Sequence, residues 1–123
     1  MLREALRDPH PADAIASWIA LATTELERSH WASDCPIATV ALEPAHESDG
    51  LARGSDRIFP DWRDAFADSL VVVGLAVGEA NSLAVLAITS IEGALLLARA
   101  SRSAGPLPLV GNELSASVRA RIP

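Results

Sequence analysis

Apolar residues recur along this chain at the three-to-four-residue spacing of amphipathic helices, and proline and glycine divide them into segments. Five helices are expected, over residues 11–29, 36–43, 60–73, 79–101 and 107–121. In the first, Ile15, Trp18, Ile19, Ala22 and Leu26 form one stripe. Pro11 suits the opening turn, where a missing N–H costs nothing, and Asp13 suits the positive end of the helix dipole. The second is short, opened by Pro36 and stopped by Pro44, with Ile37, Val40 and Ala41 as its buried edge. Residues 45–56 are polar and contain glycine, and read as a loop or weak helix. The third carries Phe59, Trp62, Phe66, Leu70 and Val73 at helical spacing. An upstream extension through residues 51–59 would place Pro60 inside the helix and kink it.

The fourth segment differs in kind, because it is apolar nearly all round, as a central helix should be. Ile88, Ile91 and Leu95 form a bulky face, while Ala87, Ser90 and Ala94 form a small-residue face that would let another helix approach closely. Gly105, Pro106 and Pro108 break the chain before the last helix, whose stripe is Leu107, Val110, Leu114 and Val118. Val71, Val72 and Val73 could suit a strand, but there is no second strand to pair with them. The fold class is therefore all-α, a bundle of about five helices.

Composition narrows the function. A chain of 123 residues is one domain, 1–123, long enough to bury a core. Every basic residue is arginine, and ten of them against sixteen acids leave a net charge of −6. With no basic cluster to neutralise phosphates, the chain alone is not expected to bind duplex DNA. The single cysteine, Cys35, excludes an internal disulfide and a cysteine-based zinc site. Residues 1–14 lack the apolar core of a signal peptide. Glu79 and Glu92 confine the uncharged part of the fourth helix to residues 80–91, well below the ~20 residues a span needs. A cytoplasmic protein without a membrane segment is expected.

Candidate chemistry is sparse. Glu27 with His30 and Glu43 with His46 are Glu-x-x-His pairs of the kind that build di-iron sites in four-helix bundles. However, His30 falls at the end of the first helix, Pro44 interrupts the second pair, and Glu79 and Glu92 share one helix. Surface polar residues at helix ends are the plainer reading, so no metal or cofactor is expected. Cys35 near a helix start could be a nucleophile or redox sensor, but nothing supplies a base and orienter, and no catalytic residue is assigned. Glu92 must be paired or protonated on so apolar a helix.

Residues 35–43 (Cys-Pro-Ile-Ala-Thr-Val-Ala-Leu-Glu), Trp62 and residues 91–99 (Ile-Glu-Gly-Ala-Leu-Leu-Leu-Ala-Arg) resemble landmarks in the C-terminal regulatory domain of TetR-type transcriptional repressors, in the branch that includes lincomycin-resistance regulators. The resemblance covers roughly residues 10–120. It implies a homodimer whose last two helices form an intersubunit four-helix bundle. Here those helices carry Ala87, Ser90, Ala94, Leu107, Val110, Leu114 and Val118 as expected interface residues. It also implies an apolar effector pocket enclosed by the earlier helices, for which Trp18, Trp62, Phe66, Ile88 and Glu92 are the candidates. DNA would be bound only through an N-terminal helix-turn-helix domain that these 123 residues do not contain. The competing readings are a stand-alone helical dimerisation or binding module without a ligand, and a helical-bundle metalloenzyme.

Overall fold

The computed structural model describes residues 2–32 and 49–123, and every regular element among them is helical. A short α1, Leu2–Ala5, precedes α2, Pro11–Arg28; then come α3, Asp49–Val72, α4, Val77–Ser101, and α5, Pro106–Arg121. The helix expected over residues 36–43, and Cys35 with it, lies outside the described residues. The other expected helices are present, three of them within two residues of their expected bounds.

The exception is α3. It begins at Asp49, so part of the stretch read as loop or weak helix is helical, and Pro60 sits inside it. Pro60 removes one rung of the hydrogen-bond ladder. The tertiary contacts of the inward stripe outweigh that loss: Phe66 and Leu70 are fully buried, and Phe59 and Trp62 pack against the same core. Propensity is a weak prior that such packing overrides. The element not expected is α1, whose Ala5 is fully buried while the hydroxyl of Ser17 on α2 donates to Asp8 just beyond it.

Local chemistry explains the ends. Nδ1 of His10 accepts the Ala12 N–H at 3.1 Å and so caps α2, with Pro11 beginning the first turn. At its other end the Trp31 N–H reaches back to the Leu26 carbonyl at 2.7 Å, and His30 and Trp31 both take left-handed backbone, at φ 53° and 64°. Between α3 and α4 the reversal uses Gly74 at φ 113°, with the Leu75 N–H donating to the Leu70 carbonyl at 3.1 Å. Arg102 ends α4 in the same left-handed region, at φ 51°.

The helices pack α2 on α5, α5 on α4 and α4 on α3. The α2–α5 seam is antiparallel: Ser115 Oγ donates to the Ala12 carbonyl at 3.2 Å, Arg119 pairs with Asp13 at 3.0 Å, and Gly111 lies against Ile19 further along. Arg121 pairs with Glu79 at 3.2 Å, joining α5 to the start of α4. Both ion pairs are solvent-exposed and contribute little. The core they flank is Trp18, Ile15, Leu26, Phe66, Leu70, Ile88, Ile91, Leu107 and Val118, and no polar or charged residue among those described is buried with them. By length and composition alone α4 could cross a membrane, but 44% of its most apolar 18-residue stretch is buried inside the protein, as befits a central helix.

Candidate functional site

Three helices bring four of the five expected pocket residues into one core. Trp18 projects from the buried stripe of α2 and is 1% exposed. Trp62 and Phe66 stand one turn apart on α3, Phe66 fully buried and Trp62 half-buried. Ile88 comes from α4 and is also buried. The two indoles meet edge to face, with ring centroids 5.8 Å apart and an interplanar angle of 86°. Such a pair contributes about 0.5–1.5 kcal/mol beyond the apolar area it buries. Glu92 follows Ile88 by one turn, half-buried, with both carboxylate oxygens shielded from solvent; it is not a free group.

One atom in this group is unusual. Nε1 of Trp18 is buried and has no hydrogen-bond partner among the described residues. An indole nitrogen is a donor only, and leaving it unpaired away from water costs about 1–3 kcal/mol. Sequence reading placed Trp18 on an inward stripe but could not reveal that its polar atom would be stranded.

Several grooves formed by described residues lie elsewhere. One of about 470 Å3 runs between α4 and α5, lined by Leu86, Ser90, Leu109, Val110, Glu113, Leu114 and Ser117. A more polar one lies between α3 and α4 at Arg63, Asp64, Asn81, Ser82 and Val85. None of the five expected pocket residues lines either.

The residues expected at a subunit seam divide sharply. Ala87, Leu107 and Val118 are fully buried within the protomer, and Ala94 and Leu114 nearly so; Ser90 and Val110 are half-buried. The small-residue face of α4 thus seats helices of its own chain, because α4 has more apolar circumference than one face. What it leaves outside is a different arc, on which Val85, Leu86, Leu96 and Leu97 are 38–61% exposed, with Leu109 of α5 beside it at 70%. Ser82, Leu86, Thr89, Gly93, Leu96 and Ala100 follow one another along that arc at alternating four- and three-residue steps, the spacing of a coiled-coil seam. That spacing was present in the sequence but hidden by the equally regular buried sets.

Of the metal-type pairs, Glu27 and His30 are both exposed, while Glu43 and His46 lie outside the described residues. Among the described residues no three His, Cys, Asp or Glu side chains converge.

Comparison with known proteins agrees with this architecture. Residues 11–113 match the C-terminal domain model of LmrA/YxaF-like transcriptional regulators, a TetR-type domain. The chain is similar to the uncharacterized HTH-type transcriptional regulator Rv0196 of Mycobacterium tuberculosis, 35% identical over 105 residues that cover 80% of this chain and 54% of the relative. It is also similar to the uncharacterized HTH-type transcriptional regulator YxaF of Bacillus subtilis, 28% identical over 109 residues that cover 89% of this chain and 57% of that protein. The chain spans about half the length of these curated relatives. With its helices, its apolar central α4 and a match running from the first residue of α2 well into α5, the chain belongs to the family of TetR-type C-terminal domains of LmrA/YxaF-like transcriptional regulators.

Proposed function

We propose that this chain is the effector-sensing and dimerising part of a TetR-type repressor, without catalytic activity and acting in the cytoplasm. The observation that carries the dimer is the uncovered arc of α4. This largely apolar helix leaves Leu86, Leu96 and Leu97 about half or more exposed, continuous with Leu109 on α5. A second copy related by a two-fold axis would cover the same arc on both protomers at once. Four helices, α4 and α5 from each subunit, would then form the interface, with Thr89 and Gly93 allowing close approach at its centre.

The effector would be a small, mostly apolar molecule held among α2, α3 and α4, where Trp18, Trp62, Phe66, Ile88 and Glu92 are the candidate contacts. DNA would be bound not by these acidic residues but by a helix-turn-helix domain of the kind named in the relatives.

Sedimentation equilibrium at micromolar concentration tests the dimer: a species of twice the 12.9 kDa protomer mass is expected. A 12.9 kDa species alone refutes it. A dimer that binds no apolar ligand would instead favour the stand-alone dimerisation module.

A further inference from the structure

We infer that Glu113 is a charge set against self-association: when a second copy docks on the α4–α5 face, the two Glu113 carboxylates meet without a counter-charge. The dimer is then weaker than its apolar face allows, and pairing is sorted by what stands at this position. This rests on the dimer reading and adds to it a residue that opposes the apolar attraction.

Glu113 stands on the exposed side of α5, in the groove of about 470 Å3 that it shares with Ser90, Ser117 and otherwise apolar side chains. Its carboxylate makes no ion pair among the described residues. The basic residues of the two helices lie at their ends, Arg99 in the last turn of α4 and Arg119 and Arg121 in the last turn of α5. Arg119 and Arg121 are engaged by Asp13 and Glu79. Residues 80–98 and 106–118 contain no basic residue. A second copy of the same chain therefore brings none to the middle of the seam either.

Symmetry determines what Glu113 meets. For α4 and α5 of one protomer to face α4 and α5 of the other, the two-fold axis must cross α4, and the two copies of α4 run antiparallel. The outward arc runs from Ser82 to Ala100, and its midpoint lies beside Ser90. Pairing about that midpoint covers the whole arc, with Leu86 opposite Leu96 and Thr89 opposite Gly93. Glu113 lines its groove together with Ser90, at the height of the axis. The partner subunit's Glu113 arrives at the same height. Carboxylates taken out of water and brought together without a cation oppose association. The attraction comes from neighbours such as Leu109, which is 70% exposed. A charge inside an apolar seam lowers stability and selects partners by repulsion.

The test compares dimer dissociation constants, by sedimentation equilibrium, for the native chain and Glu113→Gln, which keeps the size of the side chain and removes its charge. Glu27→Gln, at an exposed acid of α2 outside the arc, controls for net charge. Glu113→Gln is expected to tighten the dimer about tenfold, and Glu27→Gln to leave it within about twofold. Native chain is then mixed with a tag-lengthened Glu113→Lys chain, and native mass spectrometry counts the dimers. The mixed dimer should exceed its statistical share, because only there do opposite charges meet. An unchanged dissociation constant in Glu113→Gln, equal tightening by Glu27→Gln, or mixed dimers at or below the statistical share overturns the role of Glu113 and leaves the dimer standing. Monomers throughout, for the native chain and both Glu113 variants at the highest concentration reached, refute the dimer and this inference with it. If Glu113→Lys does not fold, the glutamine comparison decides alone.

Discussion

Adding one methyl group at Gly111 tests a close approach between α2 and α5. A Cβ built there would lie 2.8 Å from Ile19 Cγ1 and 3.5 Å from its Cδ1. Carbon atoms pack favourably at about 3.5–4.0 Å, so the seam must open by roughly 0.7 Å or Ile19 must leave its rotamer. Ile19 is β-branched and stiff about its first torsion. Opening the seam would also stretch the Ser115–Ala12 hydrogen bond nearby. Overpacking of this kind costs about 1–3 kcal/mol, against which alanine returns about 1 kcal/mol of helix propensity over glycine. Gly111→Ala should therefore destabilise the protein by about 1 kcal/mol. The assay is urea denaturation followed by circular dichroism at fixed protomer concentration, since the stability of a dimer depends on that concentration. Ile19→Ala removes the clashing atom at a cost of about 2–5 kcal/mol, and in that background Gly111→Ala should turn stabilising by about 1 kcal/mol. The change of sign is a coupling between neighbours of the kind a double-mutant cycle isolates. Stabilisation by Gly111→Ala in both backgrounds would refute the reasoning and place α5 further from α2.

Adjacent residues on α4 give a second contrast. Gly93 has open space around it whereas Ala94 is 2% exposed; Gly93→Arg should yield a folded monomer by sedimentation and circular dichroism, and Ala94→Arg should unfold the chain. Folding of both variants as dimers would remove α4 from the seam and from the core. His10→Ala should cost about 1 kcal/mol through the lost α2 cap, with His10→Asn close to native, both read from the denaturation midpoint. Arg102→Gly should stabilise by up to about 1 kcal/mol, because Arg102 sits at φ 51° where glycine is unstrained; a lower midpoint would contradict that. Residues 1–123, at net charge −6, should give no salt-dependent mobility shift on duplex DNA at physiological salt.

The sequence by itself determined the helices wherever their apolar stripes were narrow. The residues Ile15, Trp18, Ile19, Ala22 and Leu26 define one face of α2, and all five are buried. Trp62, Phe66 and Leu70 likewise define α3, and Pro11 and Pro106 mark helix starts because a first-turn proline has no hydrogen bond to lose. Family membership was legible too, in runs 35–43 and 91–99. Tertiary structure decided the rest. On α4 apolar residues fall on every side, so spacing could not choose between Ala87–Ala94 and Leu86–Gly93 as the outer face; only the placement of α3 and α5 around it made that choice. The upstream turns of α3 form despite Pro60 because distant residues of the core receive Phe59, Trp62 and Phe66, which local propensity does not register. The same holds for the candidate site. Spacing turned Trp18 inward, but whether its indole N–H would find an acceptor depended on every neighbour folded around it, and none of those described provides one.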